Sequence, residues 1–101
     1  MSERRRAARK PFRVYFNKYI AGHPHLSRTV DVSTTGILVD TLLEPRDVAP
    51  SFAIELTLPG EREPAWLWVR SVGRRGGREA LSFVNLGAKD QARLRRFVAQ
   101  P

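Results

Sequence analysis

No cysteine occurs in this 101-residue chain, so disulfides and thiolate zinc sites are excluded. Histidine occurs only as His23 and His25, two residues apart, with no further histidine or cysteine nearby to complete a metal site. Acidic residues are scarce: 18 Lys and Arg face 10 Asp and Glu, a formal charge of +8. That excess calls for an anionic partner, whether a nucleotide, a nucleic acid, a membrane surface or an acidic protein, and charge alone does not choose among them. No apolar run approaches the ~20 residues of a membrane-spanning helix. The basic start, MSERRRAARK, lacks the apolar stretch of a secretory signal. A cytoplasmic location is therefore expected. No nucleophile–base pair, metal-ligand cluster or phosphate-cradling glycine loop is visible, which speaks against an enzyme and for a binding protein without a cofactor.

The residues that are present suit one small domain. A content of 42% hydrophobic and 28% charged residues is a globular balance. The length allows one modest core and leaves no room for a separate catalytic domain. Internal repeats and low-complexity tracts are absent.

Residues 1–10 form a basic arm, in which Arg4, Arg5, Arg6, Arg9 and Lys10 face only Glu3. Such a segment buries nothing to offset its ordering entropy, so it is expected to be flexible when free. Residues 11–101 form the folded body. From Phe12 a period of two begins: Phe12, Val14 and Phe16 point one way, Arg13, Tyr15 and Asn17 the other, which predicts a half-buried strand. Ala21 to His25 reads as a turn, Thr29 to Val32 as a second strand, and Ser33 to Gly36 as a tight turn into a third strand through Val39. Phe52, Ile54, Leu56 and Leu58 alternate with polar or small residues in a fourth strand. A fifth runs from Ala65 to Arg74. Gly76-Gly77 marks a hairpin, and Glu79 to Val84 is the sixth strand. After Gly87 the period becomes helical, with Leu94, Phe97 and Val98 on one stripe. The pattern predicts an all-β body of six short strands, a barrel or sandwich, with a C-terminal helix covering one open end.

Two local patterns carry a function. Arg5-Arg6-Ala7-Ala8-Arg9 is an RxxxR just ahead of the first strand. Asp31-Val32-Ser33-Thr34-Thr35-Gly36 is a DxSxxG between strands two and three. Either alone is an ordinary feature of an arginine-rich arm or of an Asx-type turn. In this order, about one hairpin apart, and with Leu81-Ser82-Phe83-Val84-Asn85-Leu86 later on before a final helix, they resemble the two-part signature of the PilZ family. The resemblance spans nearly the whole chain.

That resemblance implies a six-stranded antiparallel β-barrel that binds the bacterial second messenger cyclic di-GMP. The chemistry suits the residues. Arginine grips a phosphate bidentately, lies flat on a purine, and reads guanine N7 and O6. A carboxylate accepts from guanine N1–H and N2–H₂. By resemblance, Arg5 and Arg9 bind phosphate and guanine, Asp31 and Ser33 bind guanine, and the arm folds over the ligand, changing the surface offered to a downstream protein. Gly36 would allow a positive φ or a close approach of the ligand to the backbone. In this family a basic residue at the place of Arg4 tends to accompany a stacked pair of ligand molecules. Family members often carry glycine where this chain has Ala80, and a methyl there would crowd a base lying on the sheet.

Other readings of the same residues stay open. Asp31 and Ser33 pin a turn equally well through bonds to the backbone. Arg74, Arg75 and Arg78 flank a hairpin and read as solvated. Trp66 and Trp68 share a strand face, one of them expected toward the core at a barrel end. Two further functions compete: a PilZ-type adaptor that binds a protein without nucleotide, and a basic barrel that binds nucleic acid. The latter lacks a clear aromatic platform interleaved with basic residues.

Overall fold

The computed structural model describes residues 8–42 and 49–100. Seven strands and one helix succeed one another along the chain: β1 (Lys10–Pro11), β2 (Tyr15–Ile20), β3 (His23–Val32), β4 (Gly36–Thr41), β5 (Ser51–Leu56), β6 (Ala65–Arg75), β7 (Arg78–Phe83) and α1 (Ala88–Ala99). All pairings are antiparallel, and the order β3-β2-β5-β6-β7-β4 closes on itself through β3–β4. This is a closed six-stranded barrel, as the strand count anticipated, with β1 as an extra two-residue strand beside β3.

The strand expected to begin at Phe12 is divided. β1 pairs with Asp31 and Val32 of β3, and β2 pairs with His23 to Arg28 of the same strand. Between them the chain kinks, and Thr29 closes the gap. Its hydroxyl donates to Phe12 O at 2.8 Å and accepts from Val14 N at 2.9 Å, while its amide donates to Val14 O. Thr29 is fully buried, so these bonds meet the requirement that enclosed backbone groups be paired.

The first turn is shorter than expected. It occupies only Ala21 and Gly22, both at positive φ (53° and 80°), the two-residue geometry whose twist matches a hairpin. His23, Pro24 and His25 lie in β3, opposite Ile20, Tyr19 and Lys18. Pro24 is tolerated because β3 pairs with β4 only from Ser27 onward, so no second ladder asks for its missing N–H.

Alternation then sorts the faces. Phe16 and Ile20 on β2, Phe52, Ile54 and Leu56 on β5, Leu67 and Val69 on β6, and Leu81 on β7 point inward. Leu94 and Phe97 of α1 join the same core, and the Phe97 ring meets Phe12 edge-on, centroids 5.2 Å apart. Arg93 fastens the helix to the β5–β6 connector through Glu61 Oε1 (2.7 Å) and Glu63 O (2.8 Å).

One inward position is charged. Continuing the period of two from Phe16 puts Lys18 inside the barrel, where its Nζ donates to Glu79 Oε1 at 3.1 Å, with both side chains fully buried. Ser71 Oγ (2.7 Å) and Arg74 Nε (3.2 Å) donate to the other Glu79 oxygen.

Candidate functional site

Two β-bulges build the outer surface that bears Asp31. Along β3–β4 the register steps from Thr29↔Val39 to Asp31↔Leu38, so Val30 is an extra residue. Along β6–β7 it steps from Ser71↔Leu81 to Gly73↔Ala80, so Val72 is extra. An inserted residue interrupts the inward–outward alternation and re-aims the side chains beyond it. Thr29 and Ser71 therefore direct their hydroxyls into the fold, while Asp31 and Gly73 come to the outer face. The registers join into one row across four strands, Asp31–Leu38–Ala80–Gly73. A neighbouring row runs Gly36–Ser82–Arg70, and on the other side lies Arg28–Asp40–Arg78–Arg75.

Arg9 reaches this surface from the arm. Its Nε donates to Asp31 Oδ1 at 2.8 Å, and a second guanidinium nitrogen lies 2.6 Å from the same oxygen. The pair is open to solvent, the Arg9 side chain being 48% exposed and that of Asp31 22%. Just beyond, Lys10 Nζ donates to Phe97 O (3.1 Å) and sits 4.1 Å over the Phe97 ring. The root of the arm is thus tied both to Asp31 and to the C-terminal end of α1, where a cation is favoured by the helix dipole. Arg4 and Arg5, and with them the first arginine of the RxxxR, lie outside the described residues.

Ser33 is completely buried, and its hydroxyl works inside the turn. It accepts from Thr35 N (3.1 Å) and Gly36 N (3.2 Å) and is 3.1 Å from the Thr35 hydroxyl, while Ser33 N donates to Gly36 O (2.9 Å). These bonds hold the loop after Asp31. Gly36 is required for a reason other than a positive φ, since it is not among the residues of that conformation. A Cβ at Gly36 would lie 2.5 Å from Leu81 O, so β7 approaches too closely for any side chain.

Two of the three hairpin arginines, Arg74 and Arg78, are engaged by carboxylates, while Arg75 is exposed as expected. Arg78 Nε donates to Asp40 Oδ1 (3.1 Å) and Arg28 donates to Asp40 Oδ2 (3.0 Å). The Arg28 bond, partly opposed by desolvation and reinforced by Arg78, holds the Asp40 carboxyl below the usual carboxylate range. Arg74, Arg75 and Arg78 wall a shallow depression of about 340 Å³ floored by Leu38, Gly73 and Ala80. Ala80 is half-buried there, and the adjoining Gly73 leaves open space where its own Cβ would stand.

Both tryptophans face outward, contrary to the expectation that one turns to the core. Trp66 is 55% and Trp68 52% exposed, because each lies opposite an outer-face residue of β5, Glu55 and Ala53 respectively. Tyr19 stands beside Trp66, centroids 5.2 Å apart, and exposed Tyr15 and Leu26 extend the same face. This aromatic surface was invisible along the sequence, since its members come from three strands. Its centre is acidic: Tyr19 donates to Glu55 Oε1 at 3.0 Å, a bond that raises the phenol pKa. A carboxylate in that place opposes a phosphate chain. Among the described residues no group of three His, Asp or Glu side chains stands close enough to hold a metal ion.

A family model described as PilZ domain matches residues 3–100. A comparison with curated proteins gave no match.

Proposed function

The chain belongs to the PilZ domain family, and we propose on that premise that it is a cytoplasmic receptor for cyclic di-GMP, which it holds between the arm and the outer face at Asp31. The observation that carries this reading is the contact of Arg9 with Asp31, which joins the two halves of the signature across 22 residues.

Binding is an exchange of partners. Guanine N1–H and N2–H₂ take the place of Arg9 on the Asp31 carboxylate, and Arg9, with Arg5 and Arg4 of the same arm, turns its donors to phosphate and to the guanine Hoogsteen edge. The pair given up is solvent-exposed and worth about 1 kcal/mol or less, whereas charge-assisted bonds to phosphate are worth roughly 1.5–3 kcal/mol each. Ser33 orders the loop beside the base, and Gly36 lets β4 lie against β7 beneath it. Because Lys10 adjoins Arg9 and is bonded to the end of α1, displacement of the arm alters the helix end as well as the barrel wall. The altered surface is what a downstream protein reads, and no reaction is involved.

The test is a titration with cyclic di-GMP, with GTP and GMP as controls, at two salt concentrations. Selective binding that both Arg9→Ala and Asp31→Ala abolish supports the reading. Binding no tighter than that of GTP, or seen only at low salt, overturns it. A second reading, an adaptor that engages a protein without nucleotide, is favoured by the exposed Tyr15, Leu26, Trp66 and Trp68, since contiguous exposed apolar surface marks interaction sites.

A further inference from the structure

The outer-face row that begins at Asp31 does not end at the signature motifs. It continues over Leu38 and Ala80 to Gly73, three strand spacings away or about 14 Å. Its floor is low throughout: Leu38 and Ala80 are half-buried and Gly73 has no side chain. At the far end the hairpin turns through Gly76 and Gly77, at φ 56° and 77°, and presents its arginines.

Among the described residues the charges there are unbalanced. Arg75 stands directly opposite Arg78, the last pair of the β6–β7 ladder. Like charges in that relation are destabilising. Asp40, the carboxylate of this row, is already shared by Arg28 and Arg78. Arg74 leans on buried Glu79. Arg75 makes no ion pair among the described residues, and it lines the depression with Leu38, Ala80 and Gly73. Among the described residues, Arg75 is thus an exposed cation opposite another cation at the edge of a shallow depression, placed to receive an anion.

We propose that this hairpin depression is a second anion subsite of the same surface, in which Arg75 binds a phosphate of the cyclic dinucleotide. The inference rests on the cyclic di-GMP reading above. A cyclic dinucleotide carries two phosphates and two guanines, so the one base and one phosphate met by Asp31 and the arm leave a second of each to be placed. The row leads them across the sheet to Arg75.

The experiment is calorimetric titration of cyclic di-GMP into the intact protein and into Arg75→Ala, Asp31→Ala and Arg95→Ala, with thermal melts of each without ligand. Arg95 is an exposed arginine of α1 and controls for net charge. The expected result is a loss of affinity of about 10- to 100-fold in Arg75→Ala, at most a twofold change in Arg95→Ala, and an unliganded melting temperature for Arg75→Ala equal to or above that of the parent, since repulsion from Arg78 is relieved. If the parent binds selectively, Asp31→Ala abolishes binding and Arg75→Ala binds like the parent, the subsite is wrong and the receptor reading stands. Equal losses in Arg75→Ala and Arg95→Ala also overturn the subsite, because net charge then explains both. If the parent shows no selective binding, the receptor reading and the subsite fall together.

Discussion

Arg9 reaches Asp31 because Pro11, two residues further on, is paired with the same Asp31 in the β1–β3 ladder. The arm is therefore registered on the barrel by backbone pairing before its side chain makes any ion pair. The ion pair itself, open to solvent on the Arg9 side, contributes only about 0.2–1 kcal/mol. In a double-mutant cycle of Arg9→Ala and Asp31→Ala, thermal stability without ligand should show coupling of that size. Each single substitution should nevertheless abolish cyclic di-GMP binding. Coupling of several kcal/mol in the unliganded protein would mean that the pair is a structural clasp that ligand does not open.

Inside the barrel the balance reverses. Lys18 and Glu79 are both fully removed from solvent, so deleting one leaves the other charged and enclosed. Lys18→Met is expected to cost about 1–3 kcal/mol in chemical denaturation, since Glu79 keeps Ser71 and Arg74 but loses a donor at Oε1. Glu79→Leu should cost at least as much, because Lys18, Ser71 and Arg74 each lose a bond to it. A loss below about 1 kcal/mol for either would show that water reaches the pair.

Gly36→Ala places a methyl against the Leu81 carbonyl, which cannot rotate away as a side chain tip does. The substitution should separate β4 from β7 and cost about 1–3 kcal/mol, lowering the melting temperature by some 4–8 °C per kcal/mol. Gly73→Ala meets open space instead and should change the unliganded melting temperature little.

Asp40 sets an acid limit. Its carboxyl is held below the ordinary range by Arg28 and Arg78, so the folded state binds the proton less readily than the unfolded chain. The stability this provides is present in full above the unfolded value, about pH 4, and drains away as pH falls through the depressed folded value. Melting temperatures recorded from pH 6 downward should fall over that window in the parent and fall less steeply in Asp40→Asn.

Much of the fold was legible because alternation is local. Phe16, Phe52, Ile54 and Leu56 announce the inner face of their strands from neighbours one and two residues away, and Leu94 and Phe97 do the same for the helix. The boundaries that differ are those set by pairing at a distance. β3 begins at His23 because Ala21-Gly22 suffices to turn the chain, and the first strand splits at Phe12–Val14 because Thr29 takes over the bonds there.

The site divides in the same way. RxxxR and DxSxxG are contiguous strings, so Arg9, Asp31, Ser33 and Gly36 stand out before any fold is drawn. Which face each serves is not contained in those strings. A bulge is created by the register between two strands, so only the closed barrel turns Asp31 outward with Leu38, Ala80 and Gly73 beside it. Only the barrel sets Arg75 against Arg78, encloses Lys18 with Glu79, and gathers Tyr15, Tyr19, Trp66 and Trp68 on one wall. Strands, family and the chemistry of the motifs were readable from the chain because they reside in residue type and short spacing. Neighbourhood was not, because cross-strand distance is set by hydrogen-bond register between segments far apart in the chain, and that register exists only once the barrel has closed.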